Sequence, residues 1–347
     1  MIDVYSDNVT LPTPEMLEVM ARVQGEGKPI RNYSADLEEL AAEKLGKERA
    51  IFMPTATQCN LVALLCQVER SEEAILGAHS HIYESEYGGA AAVGGIMMKT
   101  WNEDGIPSPE TVQRFCLPDF RYRNGAHPKP ALLCLENTHN ISGGTVISRS
   151  QTKELCSIAR KVVRAVHLDG ARIWNAAAAT GASPKELAES VDTVTISLDK
   201  ALSAPYGALL CGPASTIEQS SRWRRMLGGF VRKASVMAVA GIFALENMVD
   251  RVIEDNCRAA EIGDRLVSLP CLEIDPYPIP SNIIMMNLSG LAIDPTEFVK
   301  RLETNYGVRA HIFGRQVVRL AIHRHIGPRE ADVIVSAISE IVRSSLE

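Results

Sequence analysis

The stretch that decides the predicted fold is Val191-Asp-Thr-Val-Thr-Ile-Ser-Leu-Asp-Lys200-Ala-Leu-Ser-Ala-Pro-Tyr-Gly-Ala-Leu-Leu-Cys211. Two apolar runs rich in β-forming residues flank a short polar turn, and one lysine, Lys200, stands in that turn. A lysine among apolar neighbours loses hydration, so its ammonium form is disfavoured and its amine becomes nucleophilic. A solvated lysine in an ordinary hairpin turn is the alternative, and this stretch alone favours that alternative.

A second run, upstream of the first, carries a carboxylate at the end of a predicted strand. Lys161-Val-Val-Arg-Ala-Val-His-Leu-Asp169-Gly-Ala-Arg172 predicts a buried strand that ends at Asp169. Because open α/β sheets bind ligands at the carboxyl ends of their parallel strands, Asp169 and Lys200 are expected at the same edge. An amine that can form an imine and an acid that keeps a ring nitrogen protonated are what pyridoxal 5'-phosphate (PLP) requires. The ordered pair therefore predicts a PLP enzyme.

Composition limits the classes of protein to which the chain can belong. Its 347 residues, 46% of them apolar, suffice for one large core and a smaller one, so two domains are expected. A net charge of -6 with mixed signs predicts no nucleic-acid or membrane surface, and the apolar runs are shorter than a membrane span. The first residues lack the basic and apolar regions of a secretory signal. The eight scattered cysteines show no metal-ligand spacing, so we expect reduced thiols, no metal site and a cytoplasmic location.

Three further segments hold candidate binding or acid–base groups. Thr55 and Thr57 lie in a hydroxyl-rich turn before an apolar helix, a suitable site for a phosphate, although an ordinary helix cap is favoured from that turn alone. His81 and His139 each follow a predicted strand, and each is a candidate for stacking on a ring or for proton transfer. Arg319 lies inside the apolar strand Val317 to His323, where it either binds a substrate carboxylate or points to water from an edge strand.

The whole chain resembles the threonine aldolase (β-eliminating lyase) family of fold-type-I PLP enzymes. The matching segments occur in the family's order and cover nearly the full length: Ser6-Asp-Asn-Val-Thr, Pro54-Thr-Ala-Thr-Gln-Cys-Asn, Ser80-His-Ile-Tyr, Leu135-Glu-Asn-Thr-His-Asn, Leu168-Asp-Gly-Ala-Arg, Leu198-Asp-Lys, Arg222-Trp-Arg-Arg-Met-Leu-Gly-Gly and Val318-Arg-Leu-Ala-Ile-His.

The resemblance implies an α/β fold with a mostly parallel seven-stranded sheet in a large domain and a small α+β C-terminal domain. It implies an N-terminal arm over residues 1–25 that packs with the small domain, a PLP-binding domain over 26–248 and a small domain over 249–347. A long helical segment, Ala234 to Arg265, is expected to link the two domains. The family also implies a homo-oligomer, a dimer or tetramer with shared active sites.

The resemblance assigns the residues that bind the cofactor. It implies that Lys200 holds PLP, that Asp169 pairs with the ring nitrogen and that His81 stacks on the ring. The remaining implied cofactor contacts are the phosphate-binding Thr55, Ala56 and Thr57, Arg172 at the ring's phenolic oxygen, and Arg232, which would reach the phosphate or the site of a neighbouring subunit.

For the substrate, the resemblance implies that Ser6 and Arg319 bind the carboxylate, with Tyr33 and Arg172 as further substrate contacts, and that His139 lies near the β-hydroxyl group. The expected reaction is aldol cleavage of a β-hydroxy-α-amino acid, of the L-threonine or L-allo-threonine type, to glycine and an aldehyde.

Two other reactions stay open, because several segments depart from the family pattern. Gly25-Glu-Gly-Lys-Pro-Ile-Arg-Asn-Tyr replaces an acidic–aromatic signature, and Tyr87 stands where the family usually has a methyl group. Amino-acid racemisation needs a base on each face of Cα, and Lys200 with Tyr87 or His81 would supply the two. β-Elimination is the third possibility.

Overall fold

The computed structural model describes residues 1–23, 32–103, 105–116 and 127–346. Its strands in chain order are β1 (Ile2–Asp3), β2 (Arg49–Met53), β3 (Glu73–Gly77), β4 (Met97–Trp101), β5 (Pro130–Glu136), β6 (Ala165–Asp169), β7 (Thr193–Ser197), β8 (Ala208–Gly212), β9 (Glu273–Ile274), β10 (Ile283–Asn287), β11 (Val308–Arg309), β12 (His311–Ile312) and β13 (Val317–Ala321).

Its α-helices in chain order are α1 (Pro14–Arg22), α2 (Tyr33–Leu45), α3 (Ala56–Gln67), α4 (His81–Glu84), α5 (Pro109–Cys116), α6 (Arg149–Ala159), α7 (Ile173–Thr180), α8 (Pro184–Ala188), α9 (Ala214–Met226), α10 (Ser235–Asn247), α11 (Val252–Leu266), α12 (Pro295–Tyr306) and α13 (Pro328–Ser344).

A seven-stranded sheet forms the centre of the molecule, in the order β2-β8-β7-β6-β5-β3-β4. Only β8 runs against the others, since it pairs antiparallel with both β7 and β2 while the remaining pairs are parallel. Strands β5, β6 and β7 are buried along their whole length, as expected for near-continuous apolar runs covered by helices on both faces. The predicted seven-stranded, mostly parallel sheet is therefore confirmed.

The carboxyl edge of this sheet gathers the turns that the sequence singled out. The turn after β2 leads into α3, the turn after β3 reaches α4, and the residues after β5, β6 and β7 follow at the same edge because these strands are parallel. The return into β8 requires Gly207, which has φ +104° and on which a Cβ would lie 2.3 Å from the Phe52 ring. The topology thus brings five separate turns to one place.

The C-terminal part has its own sheet and its own core. Strands β12, β13, β10 and β9 form an antiparallel sheet, against which α11, α12 and α13 pack around buried side chains such as Phe298. The N-terminal segment joins this core, because β1 pairs with β11 and Val4 is fully buried within it. Among the described residues, no helix is both long and apolar enough to cross a membrane.

Two predicted elements differ from the observed ones. The long helical segment from Ala234 to Arg265 is two helices, α10 and α11, separated by a turn at 248–251. The strand predicted over Val317 to His323 is assigned only as far as Ala321, although the ladder with β10 reaches one residue further, since the N–H of Ile322 donates to the carbonyl of Asn282. The ring of His323 contacts the carbonyl of Asp3 instead of continuing the strand.

Candidate active site

Lys200 lies three residues beyond the end of β7, at the carboxyl edge of the sheet. Its carbonyl accepts hydrogen bonds from the Ser203 N–H and the Thr10 hydroxyl, both at 2.9 Å, so its backbone is held from two sides. Within the described part of the chain, its amine has no hydrogen-bond or ion-pair partner. Burial, reinforced by the nearby Arg172 cation, lowers the pKa of Lys200, which increases the share of neutral, nucleophilic amine.

Asp169, the last residue of β6, is 2% exposed and lies close enough to Lys200 for the two charges to interact. Its Oδ1 accepts from the backbone N–H of Ala171 at 3.1 Å, and its Oδ2 accepts from the side-chain amide of Asn60 at 2.9 Å. A carboxylate oxygen has two lone pairs, so each oxygen retains the capacity to accept one more hydrogen bond. Asp169 can therefore pair with a protonated ring nitrogen, as the sequence predicts.

Glu86, which sequence reasoning did not select, connects Asp169 with His81. The Oε1 atom of Glu86 lies 3.0 Å from Nδ1 of His81 and 2.8 Å from Nδ2 of Asn60. Burial opposes protonation of His81, but Glu86 and Asp169 outweigh it and raise the pKa of the imidazole. Burial, with a contribution from Asp169, raises the pKa of Glu86. A ring nitrogen of His81 and a carboxylate oxygen each of Glu86 and Asp169 all lie within 4.8 Å of one another, so the cluster carries a net negative charge.

The two candidate histidines differ in the nitrogen that carries the proton. Nδ1 of His81 faces a carboxylate and so carries a proton, which leaves Nε2 as an acceptor in the neutral ring. Nδ1 of the buried His139 instead accepts from the backbone N–H of Ser142 at 3.3 Å, so its proton resides on Nε2. His81 is thus suited to take a proton, and His139 is suited to donate a hydrogen bond from Nε2.

Arg172, expected at the cofactor ring, is bound by a carboxylate that the sequence analysis missed. Its Nε and Nη2 donate to the two oxygens of Asp7 at 2.7 and 2.8 Å, a bidentate ion pair in which both side chains are buried. Burial alone would raise the pKa of Asp7, but Arg172 outweighs it and holds that pKa well below its usual range. The remaining nitrogen of Arg172, Nη1, donates to Oδ1 of Asn140 at 3.3 Å. The side-chain amide of Asn282 donates to Asp7 at 3.2 Å.

Arg319 lies beside this pair on β13 and is 4% exposed, which excludes the alternative of an edge strand with its arginine in water. It donates to Oδ1 of Asn140 at 2.9 Å and to the carbonyl of Tyr5 at 3.0 Å, and its guanidinium lies 4.6 Å from the centre of the Phe313 ring. Among the described residues no carboxylate pairs with it, and its Nε has no acceptor. Burial, then repulsion from Arg172, lowers the pKa of Arg319 to about 10, and attraction to Asp7, which is already paired with Arg172, only partly offsets this fall.

The predicted phosphate-binding residues begin helix α3. Thr55 is the N-cap, and its hydroxyl accepts from the Gln58 N–H at 3.1 Å, while Ala56 and Thr57 form the first turn. Gln58 donates to the carbonyl of Leu227 at 3.3 Å, so the segment leading to the exposed Arg232 packs against this helix start. A cavity of about 270 Å³ lies next to Pro54 and is lined in part by Arg232.

The other predicted site residues have separate positions. Buried Ser6 accepts from the Asn8 N–H at 3.4 Å and adjoins Asp7, so it lies at the same edge as the basic groups. The side chain of Tyr87 is fully exposed at a residue with φ +55°, and Tyr33 lies in the first turn of α2, partly buried against the main core. Of the segment at 25–33 that departs from the family pattern, residues Gly25 to Arg31 are not among the described residues.

The charges of this edge fit the groups that PLP and an amino acid would bring. The electronegative cluster of Asp169, Glu86 and His81 has the Asn60 amide as its shared donor and would be completed by a protonated ring nitrogen. Arg319 would be completed by a carboxylate, and the start of α3 offers free N–H groups to a phosphate. The donor set therefore matches the cofactor on three sides.

Comparison with known proteins gives the same answer. Residues 3–289 match the family model described as β-eliminating lyase. The chain is 41% identical over 275 residues to the low specificity L-threonine aldolase of Escherichia coli K12, covering 77% of this chain and 79% of that protein. It is 31% identical over 355 aligned positions to low-specificity L-threonine aldolase 1 of Arabidopsis thaliana, covering 100% and 98%. The solved Leishmania major threonine aldolase superposes with a TM-score of 0.82 at 18% identity, covering 99% and 100%, which confirms the fold.

Proposed function

The chain belongs to the β-eliminating lyase family, and we propose that it is a PLP-dependent lyase that cleaves a β-hydroxy-α-amino acid of the threonine type to glycine and an aldehyde. The observation that carries the proposal is an excess of negative charge on one side of Lys200 and an excess of positive charge on the other. Asp169 and Glu86 lie on one side, and Arg319, which has no carboxylate partner among the described residues, lies on the other. An amino acid bound to PLP supplies the cation and the anion that these groups lack.

The residues of the site have distinct tasks in binding the cofactor and the substrate. Lys200, with its lowered pKa, attaches the cofactor covalently, and the first turn of α3 with Thr55 and Thr57 binds its phosphate. Asp169 keeps the ring nitrogen protonated. Arg319, with Ser6 nearby, binds the substrate carboxylate and so orients the Cα–Cβ bond for cleavage.

Proton transfer is assigned by the two histidine tautomers. The free Nε2 of His81 takes the proton of the β-hydroxyl group. The Nε2–H of His139 donates a hydrogen bond to the same oxygen while the carbonyl of the aldehyde forms. The bound cofactor supplies an electron sink for the electron pair left at Cα. Cα then takes up one proton, so the reaction consumes neither water nor a second substrate.

Racemisation is the second candidate and is less well supported. It needs a base on the face of Cα opposite Lys200, and Tyr87, the residue considered for that role, is fully exposed in the chain. His81, the other candidate, contacts Glu86 through Nδ1 and keeps Nε2 free, an arrangement that serves a base at the β-hydroxyl group equally well. Neither residue therefore offers a specific observation in favour of racemisation.

The test is to incubate the PLP-loaded enzyme with L-threonine, L-allo-threonine and L-alanine in separate reactions. We expect acetaldehyde and glycine from the hydroxy amino acids and no D-alanine. Formation of D-alanine without aldol cleavage would replace the proposal with racemisation. The Lys200→Ala variant serves as the control and should lose both the visible absorbance of the bound cofactor and the activity.

We also propose that the chain works as a homo-oligomer in a reducing compartment, with each Arg232 completing the site of a neighbour. Arg232 is exposed and is preceded by the apolar Phe230 and Val231, which are each 42% exposed. All eight cysteines are free thiols, as expected for a cytoplasmic protein. Light scattering of the PLP-loaded enzyme tests the oligomeric state, and a monomer with full activity would contradict the proposal.

A further inference from the structure

Asn60 occupies the centre of the acidic side of the site although the reaction proposed above gives it no task. It lies on α3 and is fully buried. Its Nδ2 donates to Oε1 of Glu86 at 2.8 Å and to Oδ2 of Asp169 at 2.9 Å, so one amide group serves both carboxylates. The opposite orientation of the amide would direct its oxygen at two carboxylates, so these contacts fix which atom is nitrogen.

The hydrogen bonds behind Asn60 then have only one consistent direction. Oδ1 of Asn60 must accept, so Nε2 of His167, at 3.1 Å, carries the proton. Nδ1 of His167 is therefore an acceptor and receives the hydroxyl of Thr193 at 2.9 Å. That hydroxyl oxygen in turn accepts from Nε2 of Gln67 at 2.9 Å. These hydrogen bonds link Gln67, Thr193 and His167 in series to Asn60, which makes the chain a fixed support for Asn60.

His167 is held in the neutral form that this chain requires. It is fully buried, and burial lowers its pKa to about 4, although the Asp169 carboxylate opposes the shift. A charged His167 would carry a proton on Nδ1 as well, so the Thr193 hydroxyl could no longer donate to that nitrogen. The ring of His167 therefore accepts a hydrogen bond at Nδ1 and donates one from Nε2 over the physiological pH range.

We propose that Asn60, oriented by His167, is a positioning residue that holds Glu86 against His81 while keeping Glu86 and Asp169 side by side as anions. Without a shared donor, two neighbouring buried carboxylates repel each other and one of them takes up a proton. Glu86 is the one whose pKa is already raised by burial and by Asp169, and the Asn60 bond counters that rise. The consequence for catalysis, although not the positioning itself, rests on the proposed function.

The state of His81 reports whether Asn60 does this. Among the described residues, the charged groups that act on the His81 imidazole are Glu86, Asp169 and Lys200, and the first two outweigh the effects of burial and of the lysine. The Glu136 carboxylate accepts from the backbone N–H of His81 at 2.7 Å. When Glu86 is neutral, His81 loses its closest anion, so its pKa falls and the proton on Nδ1 is no longer fixed by a carboxylate. Asn60 thereby acts on the base through Glu86.

The experiment measures the pKa of each histidine in the full-length chain, with and without PLP, from the exchange rate of the imidazole C2 hydrogen followed by mass spectrometry. In Asn60→Leu, a change of similar size that removes the donor, we expect the pKa of His81 to fall toward the value of an unpaired imidazole. A pKa of His81 equal to that of the wild type would overturn the proposal. This readout needs no turnover, so it stands even when the chain cleaves no hydroxy amino acid.

Two controls separate positioning from a general loss of packing. Asn175→Leu removes another fully buried asparagine, whose amide bonds to Asn256 on α11, and should leave the pKa of His81 unchanged. His167→Gln keeps a donor near the Nε2 position and should preserve the wild-type pKa of His81, whereas His167→Leu should lower it. Equal effects of the Gln and Leu variants would contradict the orientation of Asn60 by His167.

Activity gives the second readout. In PLP-loaded Asn60→Leu we expect kcat to fall by about 10- to 100-fold, by analogy with the loss seen when an outer-shell partner that orients a metal ligand is removed. KM should change much less, because the carboxylate contacts of Arg319 do not involve Asn60. A rise in KM with unchanged kcat would assign Asn60 to substrate binding and overturn the positioning role.

Discussion

Two buried polar clusters flank Lys200, and they are opposite in charge. The basic cluster consists of Asp7, Asn140, Arg172 and Arg319, in which one carboxylate faces two guanidinium groups. The acidic cluster consists of Asn60, His81, Glu86 and Asp169, in which one amide serves two carboxylates. Each cluster uses a single asparagine to connect its charged members.

The difference between the clusters teaches what each is prepared to bind. An unpaired charge in a protein interior is costly, so a fold that retains one needs compensation from elsewhere. In the basic cluster Asp7 neutralises Arg172 and leaves Arg319 unmatched, and in the acidic cluster the negative charge exceeds what His81 can neutralise. The missing partners are an anion on one side and a cation on the other, and these correspond to a substrate carboxylate and a protonated ring.

The largest expected effect breaks the basic cluster at its ion pair. Asp7→Asn keeps the shape of the side chain but leaves Arg172 as a buried cation without a counter-ion, which typically costs about 3–5 kcal/mol. We expect a corresponding drop in the midpoint of urea unfolding of the PLP-free chain. Because the pKa of Asp7 is depressed in the folded chain, its stabilisation is present above the ordinary carboxyl pKa of about 3.9 and is lost as the pH falls toward the folded value.

A matched control lies four residues away. Asp3 pairs with Arg309 at 3.0 Å, but both side chains are partly exposed, so Asp3→Asn should cost at most about 1 kcal/mol. Combining Asp7→Leu with Arg172→Met removes both charges and should recover much of the lost stability. Equal costs for Asp7→Asn and Asp3→Asn would show that burial of the pair is not what makes it important.

The second effect concerns the acidic cluster. Asp169→Asn preserves the shape of the carboxylate and removes the charge that would keep the ring protonated, so we expect kcat to fall by about 100- to 1,000-fold. The cofactor should remain covalently attached through Lys200 in this variant, as its visible absorbance would show. Asp192→Asn changes a carboxylate that precedes β7 and should leave kcat unchanged. A near-normal kcat for Asp169→Asn would contradict the assigned role of the acidic cluster.

The sequence predicted Lys200 and two members of the acidic cluster more readily than the residues that contact them. Asp169 ends a strand and Lys200 and His81 each follow one, and the rule that parallel strands end at one edge is enough to place them together. Their partners come from distant segments, since Asn60 and Asp169 are 109 positions apart in the sequence and Asp7 and Arg172 are 165 apart. Nothing local distinguishes a polar residue in an apolar helix, or an acid in the N-terminal segment, from one facing water.

The residues that were missed share this cause. Asn60 and Asp7 fall inside the motifs that carry the family resemblance, but their roles depend on tertiary contacts that no periodicity reveals. The break between α10 and α11 was missed because the apolar spacing continues through the turn at 248–251. Propensity and spacing thus predict elements and edges, while charge pairing requires the folded chain.

The third effect tests the unmatched cation directly. Arg319→Leu removes a charge-assisted contact with the substrate carboxylate, worth about 1.5–3 kcal/mol, so KM should rise by about 10- to 150-fold while kcat changes less. Arg319→Lys should recover part of the affinity, since lysine keeps the charge but loses the planar fork. With an amino alcohol that lacks the carboxylate, competitive inhibition should be equally weak in the wild type and in Arg319→Leu. A difference between them would place the carboxylate elsewhere.

The smallest effect is expected at Tyr87, which belongs to neither cluster. Its side chain is fully exposed on a residue with φ +55°, so its hydroxyl has no described role in balancing charge. Tyr87→Phe should therefore leave kcat and KM for L-threonine within about twofold, as for a surface change of up to about 0.5 kcal/mol. Replacing it by glycine, which adopts positive φ without strain, should raise the stability by up to about 1 kcal/mol. A loss of activity of tenfold or more in Tyr87→Phe would mean that this phenol reaches the active site of a neighbouring copy, and it would add a third group to the comparison of the two clusters.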